Sequence, residues 1–290
     1  MNGIIVIDKP AGWTSHDVAA KLRGALKEKR VGHSGTLDPM ATGVLPIFIG
    51  RATRAVEFFG NDDKEYIAGL RLGLVTDTMD VTGTVIRSSG ASVSEQELAG
   101  VIARFLGAQK QMPPMYSAIK IGGKKLYELA RRGEDVPRPA RDIVISEIEL
   151  LNGGGSDFLL RVECSKGTYI RSLCHDIGEA LGCGGVMSSL RRTRAGIFTI
   201  EMARTLNDVL DAVSSEKIMD IIIPIDSAFS AYPAARLSGD ETRKCKNGAL
   251  HRIENLSNGE YRFYGPDNEF LLLGEVKSGA VRVIKSFYVN

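Results

Sequence analysis

Residues 33–46 constrain the fold of this chain more than any other part of its sequence. They read His-Ser-Gly-Thr-Leu-Asp-Pro-Met-Ala-Thr-Gly-Val-Leu-Pro, and glycine, threonine and proline at this density are typical of a sharply turning loop. The apolar run at 44–49 predicts a buried strand that holds this loop against a core. Asp38, the one carboxylate of the loop, is therefore a candidate catalytic residue. Asp-Pro pairs are also common in ordinary turns, so a purely structural role stays open at this point.

Length and composition favour a globular protein with one large and one small domain. The chain has 290 residues, of which 43% are hydrophobic, so it can build a substantial core. It contains no run of 18 apolar residues and begins with a short strand-like segment without a basic leader, so we expect a soluble, cytoplasmic protein.

The cysteines predict neither disulfides nor a metal site. They form no C-x-x-C pair, and no histidine lies at a matching zinc-ligand spacing. We expect reduced, packed thiols at all four positions, which are Cys164, Cys174, Cys183 and Cys245.

Positive charge is concentrated in two places, although the net charge is only +2. Residues 110–141 contain eight basic and three acidic side chains, a local excess of five positive charges. A second cluster comprises Arg191, Arg192 and Arg194. Such patches bind phosphates by releasing counterions, although a single patch more often serves only solubility.

Hydrophobic periodicity predicts alternating strands and helices without an internal repeat. Residues 4–7 read as a strand, and Ser15 opens a helix with apolar residues every fourth position. Residues 64–74 alternate as a half-buried strand with Tyr66 on its apolar face. Ser94 and Glu97 form a capping box for a helix that runs to residue 106.

The second half of the chain contains a hairpin, a further helix and a β-rich end. Residues 143–151 and 158–164 predict a hairpin, and 168–181 predict a helix that closes at Gly182. Proline pairs bracket the basic segment, which we interpret as an insertion made of a strand, a Gly122-Gly123 turn and a short helix. Beyond residue 224 we expect a small unit with strands at 248–253, 261–264, 270–276 and 281–288.

Six segments, in this order and spacing, resemble the bacterial tRNA pseudouridine-55 synthases of the TruB family. The segments are Asp-Lys-Pro at 8–10, His-Ser-Gly-Thr-Leu-Asp-Pro-Met-Ala-Thr-Gly at 33–43, Lys-Glu-Tyr at 64–66, Pro-Pro-Met-Tyr-Ser-Ala-Ile-Lys at 113–120, Lys-Gly-Thr-Tyr-Ile-Arg-Ser-Leu at 166–173 and Leu-Arg-Arg-Thr-Arg-Ala-Gly at 190–196.

The resemblance implies an α+β fold. A catalytic domain at 1–225 would have a central mixed, mainly antiparallel sheet flanked by helices. A thumb would be inserted at about 110–142, and residues 226–290 would form a small β-rich, PUA-like RNA-binding domain.

The resemblance also implies an activity and assigns roles to individual residues. An isomerase of this family breaks the N1–C1′ bond of one uridine in the TΨC loop of tRNA and rejoins the base through C5. Asp38 would act on the nucleoside, Arg171 would pair with it, and Tyr66 would pack against the flipped base. Tyr169 and Leu190 would line the uracil pocket, with His33 beside the extruded base.

Binding partners follow from the same resemblance. The predicted RNA-binding residues are Lys124, Lys125, Arg131, Arg132, Arg191 and Arg192. The TΨC stem-loop would be the main contact, with the acceptor end reached by the C-terminal unit. No cofactor, metal, membrane or obligate protein partner is expected, and a monomer is the default.

Two alternatives remain open. The protein could act mainly by refolding tRNA, with catalysis secondary. It could also be a synthase of the same fold that modifies another RNA or is guided by partner proteins.

Overall fold

The computed structural model describes residues 1–60 and 62–288. Residues 61, 289 and 290 lie outside this described part, so the last two positions of the predicted C-terminal unit are not covered.

The described residues form eighteen strands and seven α-helices. The strands are β1 (Gly3–Lys9), β2 (Val31–His33), β3 (Thr42–Ile49), β4 (Lys64–Leu72), β5 (Leu74–Thr76), β6 (Val85–Ser88), β7 (Gly107–Gln111), β8 (Lys120–Ile121), β9 (Lys124–Lys125), β10 (Arg141–Gly154), β11 (Asp157–Cys164), β12 (Gly185–Ala195), β13 (Phe198–Thr199), β14 (Arg204–Thr205), β15 (Ala234–Arg236), β16 (Gly259–Tyr264), β17 (Phe270–Lys277) and β18 (Ala280–Ser286). The helices are α1 (Ser15–Ala25), α2 (Val56–Phe59), α3 (Glu95–Ile102), α4 (Leu126–Ala130), α5 (Ile170–Ala180), α6 (Leu206–Ser214) and α7 (Gly239–Lys246). None of these helices combines the length and apolar character needed to cross a membrane.

A ten-stranded sheet organises the larger part of the molecule. Its order is β14-β1-β3-β12-β4-β11-β10-β7, with β2 paired to β3 and β13 paired to β12. The β1/β14 and β3/β12 pairs are parallel, whereas the remaining pairs are antiparallel. The predicted mixed, mainly antiparallel sheet is therefore confirmed.

Strand β4 lies near the middle of this sheet and carries the predicted alternation. Tyr66, Ala68 and Leu70 are all buried in the main hydrophobic cluster. Tyr66 lies opposite Val162 of β11 on one side and opposite Arg192 of β12 on the other. A central strand with both neighbours paired holds its side chains in fixed positions, which suits it to carry a pocket residue.

Local signals in the sequence place α1 and α3 close to their observed bounds. Thr14 caps α1 through a reciprocal capping box with Asp17, so the helix begins at Ser15 as predicted. The predicted box of Ser94 and Glu97 is present and starts α3. That helix ends at Ile102 and continues as one 3₁₀ turn, so the predicted helical end at residue 106 is a few residues too long.

The segment between β7 and β10 has the predicted strand, glycine turn and short helix. Gly122 and Gly123 have φ values of +57° and +83° and connect β8 to β9, and α4 follows directly. Positive φ at two successive positions favours glycine, because other residues would be strained there.

The C-terminal strands form a separate four-stranded sheet in the order β15-β16-β17-β18. Three of its strands match the predicted ones. The strand predicted at 248–253 is wrong: Gly248, with a φ of +69°, turns the chain after α7, and only a single bridge from Arg252 to Ala280 follows. The α+β fold with a β-rich C-terminal unit is confirmed.

Candidate active site

The loop that carries Asp38 is held at both ends. The Ser15 hydroxyl, at the start of α1, accepts a hydrogen bond from Leu37 N at 2.8 Å and donates one to Leu37 O at 3.3 Å. Gly43 has a φ of +100°, and a Cβ atom there would lie 2.1 Å from the carbonyl oxygen of Arg192. A larger residue at position 43 would therefore push the loop away from β12.

The Asp38 carboxylate makes a two-point ion pair with Arg171, the second residue of α5. Arg171 Nε lies 2.8 Å from Oδ2, and Nη2 donates to Oδ1 at 3.1 Å. The same guanidinium donates to Tyr116 O at 2.9 Å and to Thr78 O at 3.3 Å. The Nη2–Oδ1 contact is a hydrogen bond, whereas the buried Nε has no hydrogen-bond partner among the described residues and contributes through its charge. The Arg171 side chain is only 5% exposed whereas that of Asp38 is 34% exposed, so the carboxylate faces outward from a buried cation.

Opposing effects act on the charge of Asp38. Burial raises the pKa of its carboxyl group, Arg171 lowers it, and the neighbouring Asp80 carboxylate raises it further. Asp80 itself is buried and accepts hydrogen bonds from Thr78 Oγ1 at 2.9 Å and from Thr82 N at 2.9 Å. The net shift of the Asp38 pKa is upward. Burial and the charges of Arg171 and Asp80 together therefore set how readily Asp38 ionises.

Lys9 holds the Asp38 loop in place through hydrogen bonds to the backbone. Its fully buried ammonium group donates to Pro10 O at 2.9 Å, Trp13 O at 2.6 Å and Pro39 O at 3.2 Å. Burial lowers the pKa of Lys9 to about 8, and the Asp38 carboxylate partly opposes this shift. Since all three bonds go to backbone carbonyls, Lys9 positions the loop.

Tyr66 of β4 and Leu190 of β12 lie on the same face of the large sheet, on neighbouring strands. Both are 8% exposed and belong to the main hydrophobic cluster. Leu190 pairs with Ala68, which lies two residues along β4 from Tyr66. Burial raises the pKa of the Tyr66 phenol, with Arg192 opposing the shift and Asp38 adding to it. The phenol therefore stays neutral near neutral pH and keeps its proton.

Tyr169 is held at the start of α5 by a side chain that the sequence reasoning missed. The Gln111 amide donates to Tyr169 O at 3.0 Å and accepts from Tyr169 N at 2.8 Å, like one rung of a sheet. Gln111 is the buried last residue of β7, next to the basic segment. Ser172 Oγ donates to Met112 O at 2.9 Å. Gln111 and Met112, at the end of β7 and just after it, therefore both form hydrogen bonds with the start of α5.

His33 is the last residue of β2, so it stands just before the Asp38 loop, whereas Gly43 stands just after it. Burial lowers the pKa of its imidazole, and the positive charges of Arg192 and His16 lower it further. Its Nδ1 atom is buried and has no hydrogen-bond partner among the described residues. A neutral, half-buried imidazole is suited to contact an uncharged base.

The predicted RNA-binding residues differ in exposure: three are exposed, two are partly buried and one is fully buried. Lys124, Arg131 and Arg132 are exposed on the segment between β7 and β10. Lys125 is half-buried there, and its ammonium lies 5.4 Å from the centroid of the Tyr127 ring, which Arg131 also approaches.

Arg191 is partly exposed and forms an ion pair with Asp8, with Nη2 2.7 Å from Oδ2. The prediction for Arg192 is wrong. Its side chain is 1% exposed, with Nε donating to Val44 O at 2.7 Å and Nη2 to Gly35 O at 3.2 Å. A guanidinium buried on two backbone carbonyls braces the loop and cannot reach a phosphate.

Asp80 is the other functional candidate that sequence reasoning missed. A signal was present, because residues 76–82 read Thr-Asp-Thr-Met-Asp-Val-Thr, a dense polar run between two strands. Such a run is typical of side chains that satisfy one another in a tight loop.

Comparisons with known proteins agree on one family. Residues 23–170 match the model of the TruB family pseudouridylate synthase (N terminal domain), and residues 171–230 match the tRNA pseudouridylate synthase B C-terminal domain. A tRNA pseudouridine synthase B of Clostridium kluyveri is 42% identical over 99% of this chain and 100% of its own length. The protein of the same name from Clostridium tetani is 44% identical over 98% of this chain and 99% of its own length.

Solved structures show the same architecture. A chain in a crystal structure of a Cbf5-Nop10-Gar1 complex aligns with a TM-score of 0.73 at 32% identity, over 99% of this chain and 85% of its own length. A chain in the structure of an H/ACA RNP bound to a substrate RNA containing 2′-deoxyuridine aligns with a TM-score of 0.72 at 28% identity, with the same coverage.

Proposed function

The chain belongs to the TruB family of pseudouridine synthases, and from this premise we propose that it converts uridine to pseudouridine at position 55 in the TΨC loop of tRNA. The Asp38 carboxylate acts on a nucleotide that is flipped out of the RNA. The protein works as a monomer, without a cofactor or a protein partner.

The Asp38–Arg171 ion pair is the observation that carries this proposal. The carboxylate is partly exposed, and its cation is buried. Tyr66, whose phenol pKa the Asp38 charge raises, shares one face of the sheet with Leu190. Whole-length identity above 40% to proteins named tRNA pseudouridine synthase B supports tRNA as the substrate.

The chemistry needs an ionised acid close to the ribose. When the N1–C1′ bond breaks, positive charge develops on the ribose, and the Asp38 carboxylate stabilises that charge. The uracil turns within the pocket, C5 bonds to C1′, C5 loses its proton and N1 gains one, so atoms and electrons balance within one nucleoside. Tyr66, which stays protonated, packs on the base and offers a hydrogen bond.

The target nucleotide must leave its stack before it reaches Asp38. Unstacking costs a few kcal/mol, which phosphate contacts elsewhere offset. We propose that residues 110–142 form the thumb that supplies these contacts through Lys124, Lys125, Arg131 and Arg132, with Arg191 at the mouth of the site. Residues 226–290 form the PUA-like unit that contacts the acceptor end, next to a catalytic domain at 1–225.

Similarity to the Cbf5-containing structures favours one alternative, a synthase that depends on partner proteins. Those alignments are 28–32% identical, whereas the tRNA synthases are 42–44% identical over nearly their full length. Activity of the purified chain alone separates the two functions.

The test is incubation of the purified chain with an unmodified tRNA transcript, followed by carbodiimide treatment and primer extension. We expect a stop at position 55 with the wild type and none with Asp38→Asn, which keeps the side-chain shape but cannot carry the charge. Anisotropy of labelled tRNA should show that Asp38→Asn still binds.

Absence of a stop with the wild type would contradict the proposed activity. A stop of equal strength with Asp38→Asn would refute only the assignment of the carboxylate. Activity that appears only after cell extract is added would favour the partner-dependent alternative.

A further inference from the structure

Trp13 is the only tryptophan of the chain, and it lies on the rim of the proposed active site. It belongs to the loop between β1 and α1. Asp38 lies in the loop between β2 and β3, and Pro39 O, in the residue after Asp38, accepts a hydrogen bond from Gly12 N at 2.8 Å. The two loops are therefore in direct contact through their backbones.

The backbone of Trp13 is fixed on both sides. Lys9 Nζ donates to Trp13 O at 2.6 Å and to Pro39 O at 3.2 Å, so one ammonium joins the tryptophan to the catalytic loop. On the other side, Thr14 N donates to Asp17 Oδ2 at 3.0 Å as part of the cap of α1. The indole ring thus projects from a rigid base.

Part of the Trp13 ring is open to solvent. Trp13 is 36% exposed and makes none of the aromatic pairs among the described residues. A partly exposed indole on a fixed loop, next to the loop that carries Asp38, offers a π-face on which a ligand can stack.

The neighbouring side chains favour a nucleobase as that ligand. His16 is the second residue of α1, three positions after Trp13, and it is near enough to His33 for its charge to lower the pKa of that imidazole. His33 is proposed to lie beside the extruded uridine. Aromatic side chains bind successive bases of an unstacked strand through their π-faces, with little dependence on sequence.

We propose that Trp13 stacks on a nucleobase that flanks the target uridine and so holds the RNA loop open while the uridine occupies the pocket. This inference rests on the proposed function. When one nucleotide leaves the stack, its neighbour loses a stacking partner, and the indole replaces that partner. Trp13 is then a binding residue that helps to position the substrate, and Asp38 remains the residue that acts on the uridine.

The uniqueness of Trp13 makes the test specific, because all tryptophan fluorescence of the protein comes from this residue. The wild type is titrated with a TΨC stem-loop RNA, with N-acetyltryptophanamide correcting for absorption by the RNA. We expect saturable quenching that follows the binding curve from anisotropy of the labelled RNA. A stem-loop with abasic sites on both sides of the uridine should bind without that quenching.

Variants give the second readout. Trp13→Leu should weaken stem-loop binding by roughly 5- to 150-fold, the range that loss of one stacked base predicts, whereas Trp13→Phe should retain most of the affinity. Met219→Ala, which alters another exposed apolar side chain, should bind as the wild type does. Equal thermal midpoints would exclude misfolding as the cause.

Failure of this inference is distinguishable from failure of the proposed function. If the wild type binds and modifies the RNA but its fluorescence stays unchanged, or if Trp13→Leu binds with wild-type affinity, stacking by Trp13 is refuted and the activity stands. If the wild type neither binds nor modifies the RNA, both proposals are refuted.

Discussion

At the scale of single residues, the proposed role of Asp38 makes its charge the factor that should control activity. Burial and Asp80 raise the pKa of this carboxyl group, while Arg171 lowers it, and the net shift is upward. A carboxyl group with a raised pKa takes up its proton at a higher pH than an exposed aspartate does. Because the proposed reaction needs the ionised form, turnover should fall on the acid side as the pH drops through this raised pKa.

Asp80→Asn should move that acid limb to lower pH. The change removes the negative charge that raises the pKa of Asp38, and the amide oxygen can still accept hydrogen bonds from Thr78 and Thr82. The measurement is the single-turnover rate of pseudouridine formation against pH. Asp142→Asn, which alters an exposed carboxylate paired with Lys110, serves as the control. Superimposable profiles for Asp80→Asn and the wild type would contradict the coupling.

Arg191 and Arg192 differ in burial, which their residue type alone could not predict. In sequence they form one basic cluster, yet one is partly exposed and the other is fully buried. Successive side chains of a strand point to opposite faces, so the difference follows once β12 is known to be a strand between β3 and β4. Sequence periodicity did not identify β12, because six polar or charged residues interrupt its apolar pattern.

At the scale of elements, the contact between the end of β7 and the start of α5 links the basic segment to the proposed reaction centre. Gln111→Met should lower turnover more than it lowers RNA affinity, because it removes both hydrogen bonds to Tyr169 and loosens the turn that holds Arg171. Gln111→Glu keeps the acceptor for Tyr169 N and should lose less activity. Rate constants and dissociation constants, measured separately, provide the check. A loss confined to RNA affinity would contradict a positioning role.

The basic segment should determine the salt dependence of RNA binding. Each phosphate that a basic residue neutralises contributes about −0.7 to −0.9 to the slope of log affinity against log salt. Replacement of Lys124, Lys125, Arg131 and Arg132 by glutamine should therefore flatten the slope for tRNA by up to about 3.6, if each of them contacts one phosphate.

The matched control for the proposed thumb replaces four exposed basic residues in α1 and in the loop that follows it, which are Lys21, Lys27, Lys29 and Arg30. That variant has the same change in net charge, but all its altered residues lie outside the segment 110–142. An equal flattening in both variants would mean that overall charge, and not the thumb, governs binding.

At the scale of the whole molecule, local elements were predictable and their arrangement was not. Capping boxes, alternation and glycine turns located α1, α3, β4 and the hairpin of β10 and β11 within a few residues. The order of the ten strands depends on contacts between distant parts of the chain, which periodicity does not encode. The pairing of Asp38 with Arg171, 133 residues apart, was expected only from the family resemblance. Asp80 and Gln111 act through burial and hydrogen bonds that become visible only in three dimensions.

An aromatic cluster joins the two sheets and makes their stability interdependent. Phe229 is 2% exposed, and its ring centroid lies 5.5 Å from that of Phe59 and 5.8 Å from that of Phe287. The cluster also contains Ile4 of the large sheet and Leu273 of the small one. Loss of one central ring should therefore weaken both sheets together.

Phe229→Ala should lower the free energy of unfolding by about 3–5 kcal/mol, the usual cost of removing a buried phenylalanine ring. Urea unfolding followed by far-UV circular dichroism reports both sheets, while fluorescence of Trp13 reports the loop beside the large sheet. Because the cluster is shared, both signals should shift to the same lower midpoint. Ile197→Ala, at a side chain that is 50% exposed, should change the free energy by less than about 0.5 kcal/mol. A Trp13 transition that keeps the wild-type midpoint in Phe229→Ala would show that the sheets unfold independently.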